Sequence, residues 1–167
     1  GPSEALALTV YSDMRGINLD QLNVAVIEAG GKTTLPVLHD VFTTFRIPTY
    51  VVFDGDSNLG SRKGNPAVNR QLLAAHGLPT EDFPKTFIGS RLAVWEQDFE
   101  HTLRDEVKDY AALEEDAISD LGGPGKGPIA RYCAERLANR GEVPPSVAQL
   151  LSAVEGLVAG AGRSLSE

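Results

Sequence analysis

Two aspartates one residue apart, Asp54 and Asp56, close the apolar and β-branched run Tyr50-Val51-Val52-Phe53. Alternate residues of an extended chain point the same way, so the two carboxylates can converge on one cation. Oxygen donors of this kind suit a hard divalent ion such as Mg²⁺ or Mn²⁺. Gly55 between them lets the backbone turn or approach a neighbour closely. The same three residues also read as an Asx-capped turn, since Asp-Gly is a common turn dipeptide. Spacing alone leaves both readings open.

Other residues could join such a site, and each has a plainer reading. Glu4 lies in the first turn of a helical stretch, where the helix dipole favours an acid whatever its function. Glu100 follows Glu96 and Asp98 at an acid-rich helix start, a pattern that also describes a solvated face. Lys126 stands in Gly122-Gly123-Pro124-Gly125-Lys126-Gly127-Pro128, just before a helix. A helix start attracts phosphate and a lysine adds a point charge, yet surface lysines are common. The segment is not a nucleotide-binding P-loop, because the GxxxxGK[ST] spacing and a preceding strand are missing. Lys32 after Gly30-Gly31 has the same two readings and ranks below Lys126. His39, His76 and His101 fit helix surfaces or edges, and no two of them stand at ligand spacing. Cys133 reads as a small buried hydrophobe and Trp95 as a core or interface residue.

The elements that must position these residues alternate between helix and strand. A helix from Ser3, read as its N-cap, precedes a strand at 23–31 that enters a glycine turn. A helix over 35–45 carries the stripe Leu35, Leu38, Val41, Phe42 and Phe45. The strand through Tyr50–Phe53 has no polar face and reads as a central strand covered on both sides. Asp54 and Asp56 then lie at its carboxyl end, the edge where ligands collect in open α/β sheets. A polar loop follows over 56–64, then a helix from Pro66 to Ala75 with Asn65 as its cap. Short strands at 86–89 and 92–96 suggest a hairpin, and helices follow at 98–108, 110–121, 128–140 and 146–159. The last residues, 160–167, read as a frayed tail. Alternation of this kind implies an α/β fold with a mostly parallel central sheet flanked by helices.

The totals narrow the function classes. The chain has 167 residues, 42% of them hydrophobic, enough for a core in one domain, alone or with an appendage. Its net charge of −8 argues against a basic surface that grips nucleic acid directly. It leaves room for an enzyme that meets phosphates through cations. With the single Cys133 no intrachain disulfide can form, so a reducing, cytoplasmic compartment is expected. No stretch approaches the ~18 apolar residues of a membrane span, so no membrane partner is expected.

Several of these segments together resemble a known family. The Pro2-Ser3-Glu4 helix start, the Gly30-Gly31-Lys32 turn and the strand end Val51-Val52-Phe53-Asp54-Gly55-Asp56 are similar to the Toprim domain. Asp98-Phe99-Glu100 and Gly125-Lys126-Gly127-Pro128, followed by Ala130-Arg131-Tyr132, resemble the Toprim-containing C-terminal region of the overcoming-lysogenization-defect (OLD) family nucleases. The likeness runs from Gly1 to about residue 157. It implies a Rossmann-like Toprim fold with a small helical part, divided as a core at 1–97, a helical insertion at 98–122, C-terminal helices at 123–160 and a tail at 161–167. It implies a divalent-metal site made of Glu4, Asp54 and Asp56, with Glu100 serving another metal and Lys126 steadying the phosphate under attack. Two such cations about 3.5–4 Å apart can clamp the oxygens of an in-line phosphoryl displacement. The implied activity is nicking and cleavage of DNA with Mg²⁺ or Mn²⁺, Ca²⁺ being a non-catalytic substitute. The implied partners are DNA, an ABC-type ATPase domain in the full-length protein and a second copy of the chain. The family motif opens with a strand and an earlier glutamate, for which the sequence shows no counterpart before Gly1.

Three rivals remain open beside that reading. Another Toprim phosphotransfer chemistry is one, although a topoisomerase needs a tyrosine in a separate strand-passing domain. A receiver-like phospho-acceptor would place its acid pair at the end of the first strand, and this chain has none there. The third is a non-catalytic Toprim-type module for DNA binding or dimerisation, whose metal-free binding of DNA the net negative charge disfavours.

Overall fold

The computed structural model describes residues 1–123 and 125–164. They sort into two compact units, Gly1–Glu28 with Phe99–Leu151 and Ala29–Asp98 with Ser152–Glu167. The helices are α1 (Pro2–Met14), α2 (Leu35–Thr44), α3 (Gly60–Lys63), α4 (Pro66–Ala75), α5 (Phe99–Glu106), α6 (Tyr110–Leu121), α7 (Lys126–Asn139) and α8 (Pro145–Ser164). The strands are β1 (Val51–Asp54), β2 (Phe87–Ile88) and β3 (Leu92–Trp95). Among the described residues no helix is long and apolar enough to cross a membrane.

The first unit is helical. Ala7, Leu8 and Tyr11 of α1 repeat at helical spacing and are buried. They meet a matching face of α7 built from small residues, Ala130, Cys133 and Ala134, with Ile129 and Leu137 at its ends. The two helices approach closely at their starts. A Cβ added to Gly127 would lie 3.3 Å from Cβ of Pro2 and 3.1 Å from Cδ1 of Leu6. The start of α8 is capped from α5: Glu106 accepts hydrogen bonds from the backbone N–H and the hydroxyl of Ser146.

The second unit holds the sheet, in the order β1-β3-β2. β1 pairs parallel with β3, Val51 facing Leu92 and Asp54 facing Trp95, and β2 pairs antiparallel with β3. Val51, Phe53, Leu92 and Val94 pack with Leu72 and Leu73 of α4. The carboxyl end of β1 is fastened by a close approach. Gly55 N–H donates to Trp95 O at 2.7 Å and Asp56 N–H to Gln97 O at 3.0 Å. A Cβ on Gly55 would stand 2.8 Å from Glu96 O and 3.0 Å from Trp95 O, both backbone atoms. Buried Asn69 on α4 donates its amide to Gly55 O at 2.9 Å and to Asp82 O at 2.7 Å.

Several expectations change. Residues 23–31 form no strand. Val26 and Ile27 are exposed, and the run has no ladder partner among the described residues. An apolar β-branched run becomes a strand only where another strand pairs with it. The strand covered on both sides is β3, whose four residues are all buried, while β1 is an edge of the described sheet and buries only Val51 and Phe53. The sheet contains one parallel and one antiparallel pairing, so the α/β class stands and the mostly parallel sheet does not appear. The loop at 57–63 is helical, as a 3₁₀ turn and α3. Gly1 takes the N-cap position of α1, and Ser3 lies inside its first turn. α7 begins at Lys126 rather than Pro128. α8 continues to Ser164, so 160–164 are helical; Pro124 and 165–167 lie outside the described residues.

Gly55→Ala should lower stability by roughly 2 kcal/mol or more, because the carbonyls it meets are backbone atoms at and just after the end of β3 that cannot yield cheaply. Urea unfolding checks this, and an unchanged midpoint would refute it. Burial pushes the Cys133 thiol up to about 12. Iodoacetamide at pH 8 should therefore leave the folded chain unmodified and label it quickly in denaturant, as mass spectrometry would show.

Candidate functional site

Asp54 is the last residue of β1, and Asp56 follows after the pinned Gly55. Asp56 is left-handed, with φ 57°, a conformation a non-glycine residue holds at some cost. The extended alternation expected to align the two carboxylates therefore ends at Asp54. Lys32 joins this strand end instead. Its ammonium donates to Asp56 Oδ2 at 2.5 Å, to Asp54 main-chain O at 2.9 Å and to Gly64 O at 2.8 Å. The Lys32 side chain is only 10% exposed, so its charge depends on these three oxygens rather than on water. Close packing also seats Gly64, where an added Cβ would meet Asp56 O at 2.8 Å.

The carboxyl end of β1 is thus an oxygen cradle that already holds a cation, and the cation belongs to the chain. Its donor chemistry, carboxylate and carbonyl oxygen without sulfur or imidazole, fits a hard divalent ion. Lys32 is the residue that sequence reasoning undervalued. The available signal was its place directly after Gly30-Gly31, where a turn can bring the side chain back to a strand end.

The other three candidates lie in the helical unit, all at helix starts. Glu4 is in the first turn of α1, Glu100 in the first turn of α5, and Lys126 opens α7. Ser3 Oγ donates to Glu100 Oε1 at 2.6 Å across a buried contact, which ties α5 to the turn that carries Glu4. Glu4 and Glu100 are 7% and 9% exposed, unusually little for carboxylates. Glu4 Oε2 lies 2.8 Å from the Gly1 amino nitrogen. The Lys126 side chain is 71% exposed, and its Nζ is 4.0 Å from Glu100 Oε2. The structure therefore joins Glu4, Glu100 and Lys126 at one end of the helical unit, and joins Asp54 and Asp56 to Lys32 in the sheet unit. Among the described residues no group of three or more His, Cys, Asp and Glu is arranged to hold a metal ion.

Residues 1–56 match the family model of the overcoming lysogenization defect protein-like TOPRIM domain. The match ends on Asp56, so it contains Glu4, Lys32, Asp54 and Asp56, while Glu100 and Lys126 lie beyond it. It supports the Toprim likeness for the first third of the chain. No curated protein and no solved structure is significantly similar to the chain.

Lys32→Met keeps the length of the side chain and removes its charge, leaving three oxygens without their donor. Stability should fall by about 2–3 kcal/mol in thermal or urea unfolding, the scale of hydrogen bonds to a charged group. A change within error would show that water replaces the ammonium at no cost.

Proposed function

We propose that the chain is a divalent-metal-dependent nuclease domain that hydrolyses DNA phosphodiester bonds. The observation that carries this is the Asp54-Gly55-Asp56 strand end, folded as an oxygen cradle and standing at the close of the Toprim match. The buried Ser3–Glu100 bond adds support, because it fixes a second acid beside the turn that carries Glu4.

In this reading Asp54 and Asp56 would hold Mg²⁺ or Mn²⁺, and the family likeness assigns Glu4 and Glu100 to the metal chemistry as well. Bound divalent ions supply Lewis-acid polarisation of the phosphate and charge neutralisation in the displacement. The chain's own residues do the rest. Lys32 neutralises Asp56 and holds its carboxylate in one orientation. Asn69 and the Trp95 carbonyl lock the Gly55 peptide, so both aspartates start from fixed backbone. Ser3 orients Glu100 by donating to one oxygen and leaving the other for a cation. Lys126, exposed at the start of α7, offers a mobile positive charge where negative charge develops on phosphate. DNA as substrate, an ABC-type ATPase domain in the same polypeptide and pairing with a second copy belong to the same proposal, on the family likeness.

The ion pair between Lys32 and Asp56 favours a second reading. With its own cation in the cradle, the domain would engage DNA without cutting it.

Nicking of supercoiled plasmid separates the two. With Mg²⁺ or Mn²⁺ the chain should convert supercoiled to open-circular DNA, and EDTA should stop the conversion. Ca²⁺ should not support it, and Asp54→Ala should abolish it without loss of fold. No nicking with any metal, or nicking that survives Asp54→Ala, would overturn the nuclease reading. DNA binding without nicking would leave the second reading.

A further inference from the structure

A groove of about 1070 Å³ lies in the sheet unit, at the end of the parallel strands opposite Asp54 and Asp56. Its walls come from the residues entering β1 and β3, the ends of α2 and α4, and one side of α8. Arg46 and Arg91 line it, as do His39 and His76, and among the described residues no acidic residue does, although the chain carries a net charge of −8. Neither guanidinium makes an ion pair or hydrogen bond among the described residues. His39 and His76, 37 residues apart in sequence, bring their ring centroids within 4.7 Å. His39 Nδ1 is buried without a hydrogen-bond partner, its nearest carboxylate being Asp40 Oδ1 at 3.7 Å. His76 Nδ1 donates to Leu72 O at 2.8 Å, which leaves Nε2 available.

Arg46 is held at a cost. It closes α2 in the left-handed conformation, φ 56°, with its N–H on Thr43 O and the N–H of Ile47 on Phe42 O. Glycine is the usual residue at that helix end. On α8, Gly156 and Gly160 face open space, where an added Cβ would meet nothing within 4 Å. The remaining lining is largely apolar, including Leu78, Phe87 and Leu157.

We propose that this groove binds a small organic phosphate of nucleotide size, with the phosphoryl group on Arg46, Arg91 and the two histidines. The organic part would lie against the apolar lining. The volume is on the scale of small-molecule sites, about 300–1,000 Å³. Two arginines in one groove suit a single phosphoryl group, whereas a nucleic-acid track needs cations in a row. Burial, with the neighbouring charges of His39 and Arg91, holds the His76 imidazole below its ordinary value. A bound anion would reverse that effect, so binding should take up protons. The charged groups that act on His76 are His39 and Arg91; Arg46 lines the same groove, Asp40 lies beside His39, and the described lining residues of α8 add none.

Deoxyadenosine 5′-monophosphate is a suitable probe, followed by calorimetry and by the histidine ring signals in NMR. It should bind the full chain without added metal, tighten as pH falls from 7 to 6, and raise the His76 titration midpoint. Deoxyadenosine, inorganic phosphate and the Arg91→Gln variant should each weaken binding at least about tenfold, the scale of one charge-assisted contact. Gly156→Phe should block the groove while leaving thermal stability intact, because its site is open and glycine disfavours helix. Absent binding, binding unchanged in Arg91→Gln or Gly156→Phe, or equal affinity for inorganic phosphate would each overturn the proposal. Tighter binding of a short single-stranded oligonucleotide would overturn it in favour of a DNA-backbone contact. None of these readouts depends on nicking, so the nuclease reading and this one can fail separately.

Discussion

Gly55 sits where the chain has no room for a side chain. Its N–H reaches Trp95 O at 2.7 Å, and a Cβ would collide with two backbone carbonyls of the neighbouring segment. Because the approach is so close, the residues on either side have little freedom. Asp54 is held by the parallel pairing with Trp95, and Asp56 is turned into a left-handed conformation. The buried amide of Asn69 clamps the carbonyl of Gly55 from α4. The candidate site of the sheet unit depends on this constraint, since two carboxylates act together only if their backbones cannot drift apart.

Lys32 completes that arrangement in electrostatic terms. A nearly buried ammonium would be costly alone, and Asp56 repays much of that cost at short range. The two carbonyl oxygens satisfy its remaining protons. A cradle that holds an ammonium is formed from the same kind of oxygen donors that a hard cation needs. For the proposed nuclease chemistry, a divalent ion would have to share Asp56 with that lysine.

In the helical unit the same economy appears in another form. Three helix starts meet, and the acids at two of them are shielded from water yet favoured by the helix dipoles. Small residues on α7 permit the approach, and Ser3 spends its hydroxyl on Glu100 instead of on a cap. Lys126 remains in solvent, which suits a charge that must move toward a ligand.

Much of this was legible in the chain itself. Local chemistry decided the helices with a clear start, such as α4 behind Pro66 and α6 from Tyr110, and it decided that an acid pair ends an apolar strand. Those features depend on neighbours in sequence. Residues 23–31 have the composition of a strand but lack a partner, and pairing is a property of distant segments. For the same reason β3 rather than β1 is the covered strand: an apolar run reads alike in both, and only the sheet order places one of them in the middle. The role of Lys32 and the meeting of His39 with His76 join residues 22 or more positions apart. Residue types and local spacing determined what chemistry this protein could hold, while tertiary structure alone decided which charges meet, because electrostatic contact falls off over a few ångströms of space, not over positions in the chain.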